Sequence, residues 1–270
     1  MLQPFPDGAD DAALADFAAH HDPERSAPVV VLIAAYDEQD AIGGVLSGIP
    51  ETCCGLPVEA LVVVDGATDA TARVAREHGA RTCEVPVNRG QGAALRLGYH
   101  LAEQRGAQYV VTTDADGQYD MTELELLLRP LVEDAADFVT GSRTLGSSER
   151  PALLRRVGTR VFATTVSTLT GRHVTDTSFG FRAMRAHVPV SVTLRQQQYQ
   201  SSEVLVGVLS RGYRVHEQPM RMLARAAGQS KKGNDLIYGY RYAKVVLGTW
   251  LRERRSGPAE VSRGSATDRG

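Results

Sequence analysis

The sequence has no apolar run near the 18 or so residues needed to cross a bilayer; its longest near-continuous stretch is Val29 to Ala35. An integral membrane protein is not expected. Cysteine is sparse: Cys53, Cys54 and Cys83 are odd in number, two are adjacent and none has metal-ligand spacing, so they read as small buried or half-buried thiols. Excess charge is missing too. Thirty basic against 32 acidic side chains give a net charge of -2, which removes the electrostatic reason to expect general nucleic-acid binding and leaves room only for a local basic site. The N-terminus lacks the basic and apolar regions of a signal peptide and turns acidic after Pro6, so the expected location is cytoplasmic.

What remains is an ordinary globular composition, 43% hydrophobic and 23% charged over 270 residues. Residues 1–26 carry six acidic side chains against a single Arg25 among alanines and prolines, and read as a mobile or weakly helical leader. Residues 256–270, polar and rich in Gly, Ser and Arg, read as a disordered tail. Between them, 27–255 is a comfortable length for a single domain. Short β-branched runs alternate there with helical patterns. Val29 to Ala34, Val58 to Val64, Thr82 to Val85, Tyr109 to Thr113 and Phe138 to Gly141 read as strands. Asp40 to Ile49, Asp69 to His78, Gln91 to Arg105 and Thr122 to Val132 read as helices, with Asp40, Asp69 and Thr122 at the N-caps. This alternation predicts an α/β fold, a Rossmann-like, mostly parallel, doubly wound sheet with helices on both faces. Ligands in such folds bind beyond the carboxyl ends of the strands.

Those ends are unusually polar. Asp114 and Asp116 follow the fourth strand; in extended geometry residues two apart point to one side, so both carboxylates can face one ion, and oxygen-only ligation suits Mg²⁺ or Mn²⁺. Asp65, after the second strand, can accept a hydrogen bond from a nucleobase or a ribose. Tyr36 can stack on a base while Glu38 reaches a ribose. The Gly90-Gln91-Gly92 turn is poor evidence for a dinucleotide site, because Leu95 stands where the last fingerprint glycine belongs.

Val64-Asp65-Gly66-Ala67-Thr68-Asp69-Ala70-Thr71, Asn88-Arg89-Gly90-Gln91-Gly92-Ala93-Ala94, Asp114-Ala115-Asp116-Gly117-Gln118, Gly141-Ser142-Arg143 and Thr177-Ser178-Phe179-Gly180-Phe181-Arg182 occur in this order. The series resembles a family 2 glycosyltransferase of the GT-A fold, in the dolichyl- or polyprenyl-phosphate mannosyltransferase branch, over about residues 28 to 250. The resemblance implies an inverting, metal-dependent transfer of a sugar from a GDP- or UDP-sugar. It carries nucleoside contacts to Ala35, Tyr36, Glu38 and Asp65, the metal and diphosphate to Asp114 and Asp116, and the sugar pocket to Ala115 and Gln118. Arg225-Ala226-Ala227-Gly228-Gln229-Ser230-Lys231 matches the family's Arg-x-x-Gly-x-Ser-Lys segment. With only three lysines in the chain, Lys231-Lys232 stands out. Together with Ser230, Arg225, Arg143 and the Arg155-Arg156 pair it can form a cationic phosphate or acceptor site. Departures fall on the nucleoside side: Ala35 replaces a proline, Asp37 an asparagine and Gln91 a lysine, and Asp65 lacks the adjacent aspartate the family commonly has.

If the acceptor is a phosphate monoester, its oxygen is already anionic and no strong base is needed; a hydroxyl acceptor needs a carboxylate to take its proton. Asp176 and then Glu203 are the candidate bases, with Asp116 able to act on the substrate through the metal. The expected acceptor is polyprenyl phosphate; a soluble hydroxyl acceptor, or a non-catalytic nucleotide-sugar-binding module, are the alternatives. The amphipathic, basic stretch Asp235 to Arg255 reads as a helix packed across the domain, with peripheral contact to an anionic membrane as its other reading. Arg150 to Thr170 reads as a long helix with Leu153, Leu154, Val157 and Val161 as its apolar stripe.

Overall fold

The computed structural model describes residues 9–21, 25–148, 153–224, 235–255 and 257. Its strands are β1 (Val29–Ala35), β2 (Thr52–Cys53), β3 (Leu56–Asp65), β4 (Arg81–Val85), β5 (Tyr109–Asp114), β6 (Phe138–Ser148), β7 (Arg182–Arg185) and β8 (Val215–Met222). The helices are α1 (Ala9–His20), α2 (Ile42–Ser47), α3 (Thr71–Glu77), α4 (Gln91–Gln104), α5 (Leu124–Val132), α6 (Leu153–Thr170), α7 (His187–Ser191), α8 (Gln200–Ser210) and α9 (Asp235–Arg255). From β4 the sheet runs through β3, β1, β5, β7 and β6 to β8, with the short β2 on the start of β3. The first four of these strands are mutually parallel; β7 runs antiparallel between β5 and β6.

Alternation along β1 explains the two layers. Val30 and Leu32 join one core with α1, α4 and α6–α9, while Val29, Val31 and Ile33 join the other with α2, α3 and α5. All five side chains are fully buried, as a strand covered on both faces requires. The expected doubly wound α/β fold is present, but the sheet is mixed. Three strands were not expected: β2 is only the two residues Thr52–Cys53, β7 is four residues of Arg-Ala-Met-Arg, and β8 carries charges and Pro219, tolerable at a sheet edge. β6 also runs past Gly141 to Ser148 with a register shift after Ser142, so Ser142 and Arg143 lie within the strand instead of beyond it.

Local corrections have local causes. Asp69 is not the N-cap of α3, which is Ala70; it lies one residue earlier, and its Oδ1 accepts the Thr71 amide at 2.9 Å in an Asx turn that leads into the helix. Asp40 does not cap α2, whose first turn starts from the Glu38 carbonyl. Asp120, in extended geometry, takes the capping role expected of Thr122, accepting that residue's amide at 3.0 Å. In α6, Val161 is 55% exposed and outside the buried stripe, which includes Ala163 and Val166. Thr164, Thr165, Ser167, Thr168 and Thr170 each donate their hydroxyl to the carbonyl four residues back. α9 is packed as expected, with Tyr242, Val246, Thr249 and Glu253 buried.

Within the expected mobile or weakly helical leader, residues 9–20 are helical and packed on the domain. They form α1, which buries Ala13 and Phe17 against the β4 side of the sheet. His21, just beyond it, sets Nε2 3.1 Å from the Thr82 carbonyl, to which the protonated ring donates, and 3.2 Å from the Thr82 amide, from which the neutral ring accepts. Burial lowers the His21 pKa, outweighing the hydrogen bond to the Thr82 carbonyl that raises it. The unfolded chain therefore binds the proton more readily, and the stability from this contact is present above about 6.5 and lost as the pH falls below that value. The difference in thermal midpoint between the unmodified chain and His21→Gln is expected to narrow between pH about 7.5 and about 5.5, measured by melting at matched ionic strength.

Candidate functional site

The carboxyl ends of β1 and β3 are stitched together by side chains bonding to backbone. At Asp37 the chain turns through a left-handed conformation, φ +52°, and the Asp37 Oδ1 accepts the Thr68 amide at 2.9 Å. Gln39 Oε1 accepts the Ala70 amide, Asp69 Oδ2 the Gln39 amide, and Thr71 Oγ1 the Glu38 amide. Asp37 and Gln39 were missed; the signal was the tolerance of aspartate for left-handed backbone. Around this seam Ala35 is buried and Tyr36 is 37% exposed. The Asp37 carboxylate is the main cause that holds the Tyr36 hydroxyl above its ordinary pKa.

Asp65 is buried beneath the turn that follows β4. Its Oδ2 accepts the amide of Gly90 at 2.6 Å and that of Arg89 at 3.0 Å. Burial pushes this carboxyl up, and the two amides pull it part of the way back. The structure thus gives Asp65 a task the sequence did not suggest, fixing the turn. Gly66 permits the approach: at φ +67° a Cβ there would lie 2.2 Å from the Asn88 amide nitrogen.

From the same turn, Gln91 Nε2 donates to Asp114 Oδ1 at 2.9 Å. Asp114 ends β5, but the chain then turns through Ala115 and Asp116, so the extended i, i+2 geometry expected for the pair does not hold. Asp116 is buried and its Oδ1 accepts the Gln118 amide at 3.2 Å. Both carboxylates act on buried Tyr119, whose hydroxyl is driven well above its usual pKa by burial first and by the Asp114 charge second. That hydroxyl accepts the Gly180 amide at 2.9 Å. Gln118 Nε2 donates to the Leu223 carbonyl at 3.3 Å, and the Leu223 amide returns a bond to the Gln118 carbonyl. Among the described residues no three His, Cys, Asp or Glu side chains cluster to hold a metal by themselves. Two carboxylates are nevertheless an all-oxygen set suited to Mg²⁺ or Mn²⁺ that draws its other ligands from water and phosphate.

Both candidate bases are otherwise engaged. Asp176 is fully buried and grips Arg143 in a fork, Oδ2 to Nε at 2.6 Å and Oδ1 to Nη2 at 3.1 Å, while Oδ1 also accepts the Ser178 amide. Glu203, equally buried, accepts the amides of Arg195 and Gln196 and a 3.0 Å bond from Arg252 Nη2. Carboxylates tied in this way are anchors, because taking a proton would cost them their cationic and amide partners. Arg143 also donates to Ser178 Oγ at 2.6 Å, so its guanidinium is fixed at the cleft edge. Below it, buried Arg182 holds the carbonyls of Thr177 and Ser201, and the Thr177 and Tyr242 hydroxyls meet at 2.5 Å, joining α9 to this loop. Arg225, Ser230 and Lys231 lie outside the described residues, as does the side chain of Arg155, whose backbone is in α6.

The sequence model of glycosyl transferase family 2 matches residues 30–188. A dolichyl-phosphate hexose transferase of Haloferax volcanii is 34% identical over 226 residues, 84% of this chain and 95% of its own. The UDP-N-acetylglucosamine–dolichyl-phosphate N-acetylglucosaminyltransferase of Methanococcus voltae is 24% identical, over 79% of this chain and 92% of its own. Among solved structures, glucosyl-3-phosphoglycerate synthase of Mycobacterium tuberculosis, in complex with Mn²⁺, UDP and glucosyl-3-phosphoglycerate, superposes with a TM-score of 0.64 at 20% identity, covering 96% of this chain and 88% of that one. That likeness establishes the GT-A fold.

Asp176→Asn is expected to cost about 3–5 kcal/mol of stability by leaving the half-buried Arg143 without the buried carboxylate it grips, measured by denaturant titration. Adding Arg143→Met should restore much of it. A general base replaced by its amide would instead leave stability nearly intact.

Proposed function

Because the chain belongs to glycosyl transferase family 2 and is a glycosyltransferase, we propose that it transfers a sugar, with inversion, from a GDP- or UDP-sugar to a polyprenyl phosphate with the help of Mg²⁺ or Mn²⁺. The observation that carries the acceptor class is the engagement of Asp176 and Glu203. With both carboxylates bonded to arginines and amides, the chemistry best served is attack by an oxygen that is already ionised, as in a phosphate monoester. The names of the Haloferax and Methanococcus relatives agree with such an acceptor.

In this reading Ala35, Tyr36 and Glu38 line the nucleoside pocket, and Asp65 supports it through the Arg89–Gly90 turn. Ala115 and Gln118 flank the sugar. Asp114 and Asp116 would hold the divalent ion, which when bound neutralises charge developing on the departing diphosphate. An acceptor phosphate oxygen bonds to the anomeric carbon from the face opposite the leaving group; the bond to the nucleoside diphosphate breaks and takes its electron pair with it. Arg143, forked on Asp176, keeps a cation at a fixed position for a phosphate, and Arg155, Arg225, Ser230 and Lys231 complete that acceptor side. No helix among the described residues is long and apolar enough to cross a membrane. We place the enzyme in the cytoplasm, at the membrane surface, with α9 as its contact.

Melting with a panel of UDP- and GDP-sugars should show stabilisation by one donor only when Mn²⁺ or Mg²⁺ is present, about 5–10 °C at a hundredfold excess over Kd. Labelled sugar should then enter an organic-extractable product when polyprenyl phosphate is supplied, and Asp116→Ala should lower that rate by about a hundredfold or more. Absence of any metal-dependent shift overturns the donor reading; label appearing only in water-soluble product overturns the lipid acceptor.

A further inference from the structure

The family match begins at residue 30, so α1 lies ahead of the segment that defines the family. Its docking is more specific than covering the β4 side of the sheet would need. Ala13 and Phe17 supply the apolar contact, yet the helix also sends Asp10 to Arg89, Oδ1 to Nη2 at 2.6 Å, and both residues are buried. A buried ion pair of this kind adds little stability over an apolar pair of similar volume. What it adds is direction, since a guanidinium bonds a carboxylate along fixed axes.

Arg89 is held from two sides. The Arg89 amide is on Asp65 and its side chain is on Asp10, 79 residues away in sequence. Gly90, next in the chain, is also on Asp65, and Gln91 bonds Asp114. One four-residue turn therefore links α1 to the nucleoside side and the metal side of the cleft. We propose that α1 is a strut of the donor site and that Asp10 is a positioning residue for the nucleotide-sugar, setting through Arg89 where the turn presents Gln91 to Asp114. This rests on the reading of the Asn88–Gln91 turn as part of the donor pocket.

The test uses the full chain and two variants, Asp10→Asn and the apolar double replacement Asp10→Leu with Arg89→Met, the second protecting against a stranded buried cation. Expected for both is a rise of about tenfold in the donor KM with kcat and the acceptor KM within about twofold of the unmodified chain. Asp10→Glu should recover most of the loss. Backbone amide exchange over 88–92 should rise about tenfold in the double variant while β1 and β5 stay protected. Phe17→Leu, which costs packing but keeps an apolar anchor and the Asp10–Arg89 pair in place, should lower the melting point and leave the donor KM alone. An unchanged donor KM and unchanged exchange in the double variant overturn the strut, as does an equal rise in donor KM with Phe17→Leu. The exchange readout needs no substrate, so a chain that turns over no donor at all counts against the functional reading, while the exchange result still decides whether α1 holds the turn.

Discussion

Where β1, β3 and β5 end together, the chain leaves the ladder and its amides lose their strand partners. Where such an amide is buried, as at Arg89, leaving it bare would cost about 1–3 kcal/mol. The protein meets this constraint with side chains. Asp65 takes two amides, Asp69 takes those of Gln39 and Thr71, Asp37 takes that of Thr68 and Asp116 that of Gln118. Acidic residues crowd this edge partly because the backbone needs acceptors there. The same carboxylates leave it electronegative, which is what a divalent cation and its diphosphate require.

The strand-end motifs were legible because short continuous apolar runs mark strands buried on both faces and the polar residue that follows each run is a local signal. So the parallel half of the sheet, Asp114 and Asp116, and the α9 boundaries could be read from the sequence. β7 and β8 could not, since four residues of Arg-Ala-Met-Arg or a charged strand with Pro219 carry no apolar run to detect. Residue roles were harder than residue places. Asp176 and Glu203 were read as candidate bases, but whether an acid is a base or an anchor depends on what faces it. Arg143 and Arg252 are 33 and 49 residues away. Likewise Asp10 was one acid among six in an apparent leader, and only its pairing with Arg89 separates it from the rest.

Arginine dominates these pairings. Asp10, Asp176 and Glu203 each meet a guanidinium, whose planar fork satisfies a buried carboxylate where a lysine would supply a point charge. The near-neutral net charge therefore conceals an internal skeleton of opposite charges, much of it removed from solvent. It fixes loops to one another more than it stabilises the fold.

The hydroxyl bonds along α6 bear on how that helix meets its surroundings. A threonine that gives its hydrogen to its own helix no longer asks a neighbour for an acceptor, and it turns a methyl group outward. The side of α6 bearing Val161, Thr164 and Thr168 is for this reason less thirsty than its composition suggests. Withdrawing water from it, whether by a lipid headgroup layer or a protein surface, carries a smaller desolvation penalty than a helix face of the same polarity with unspent donors.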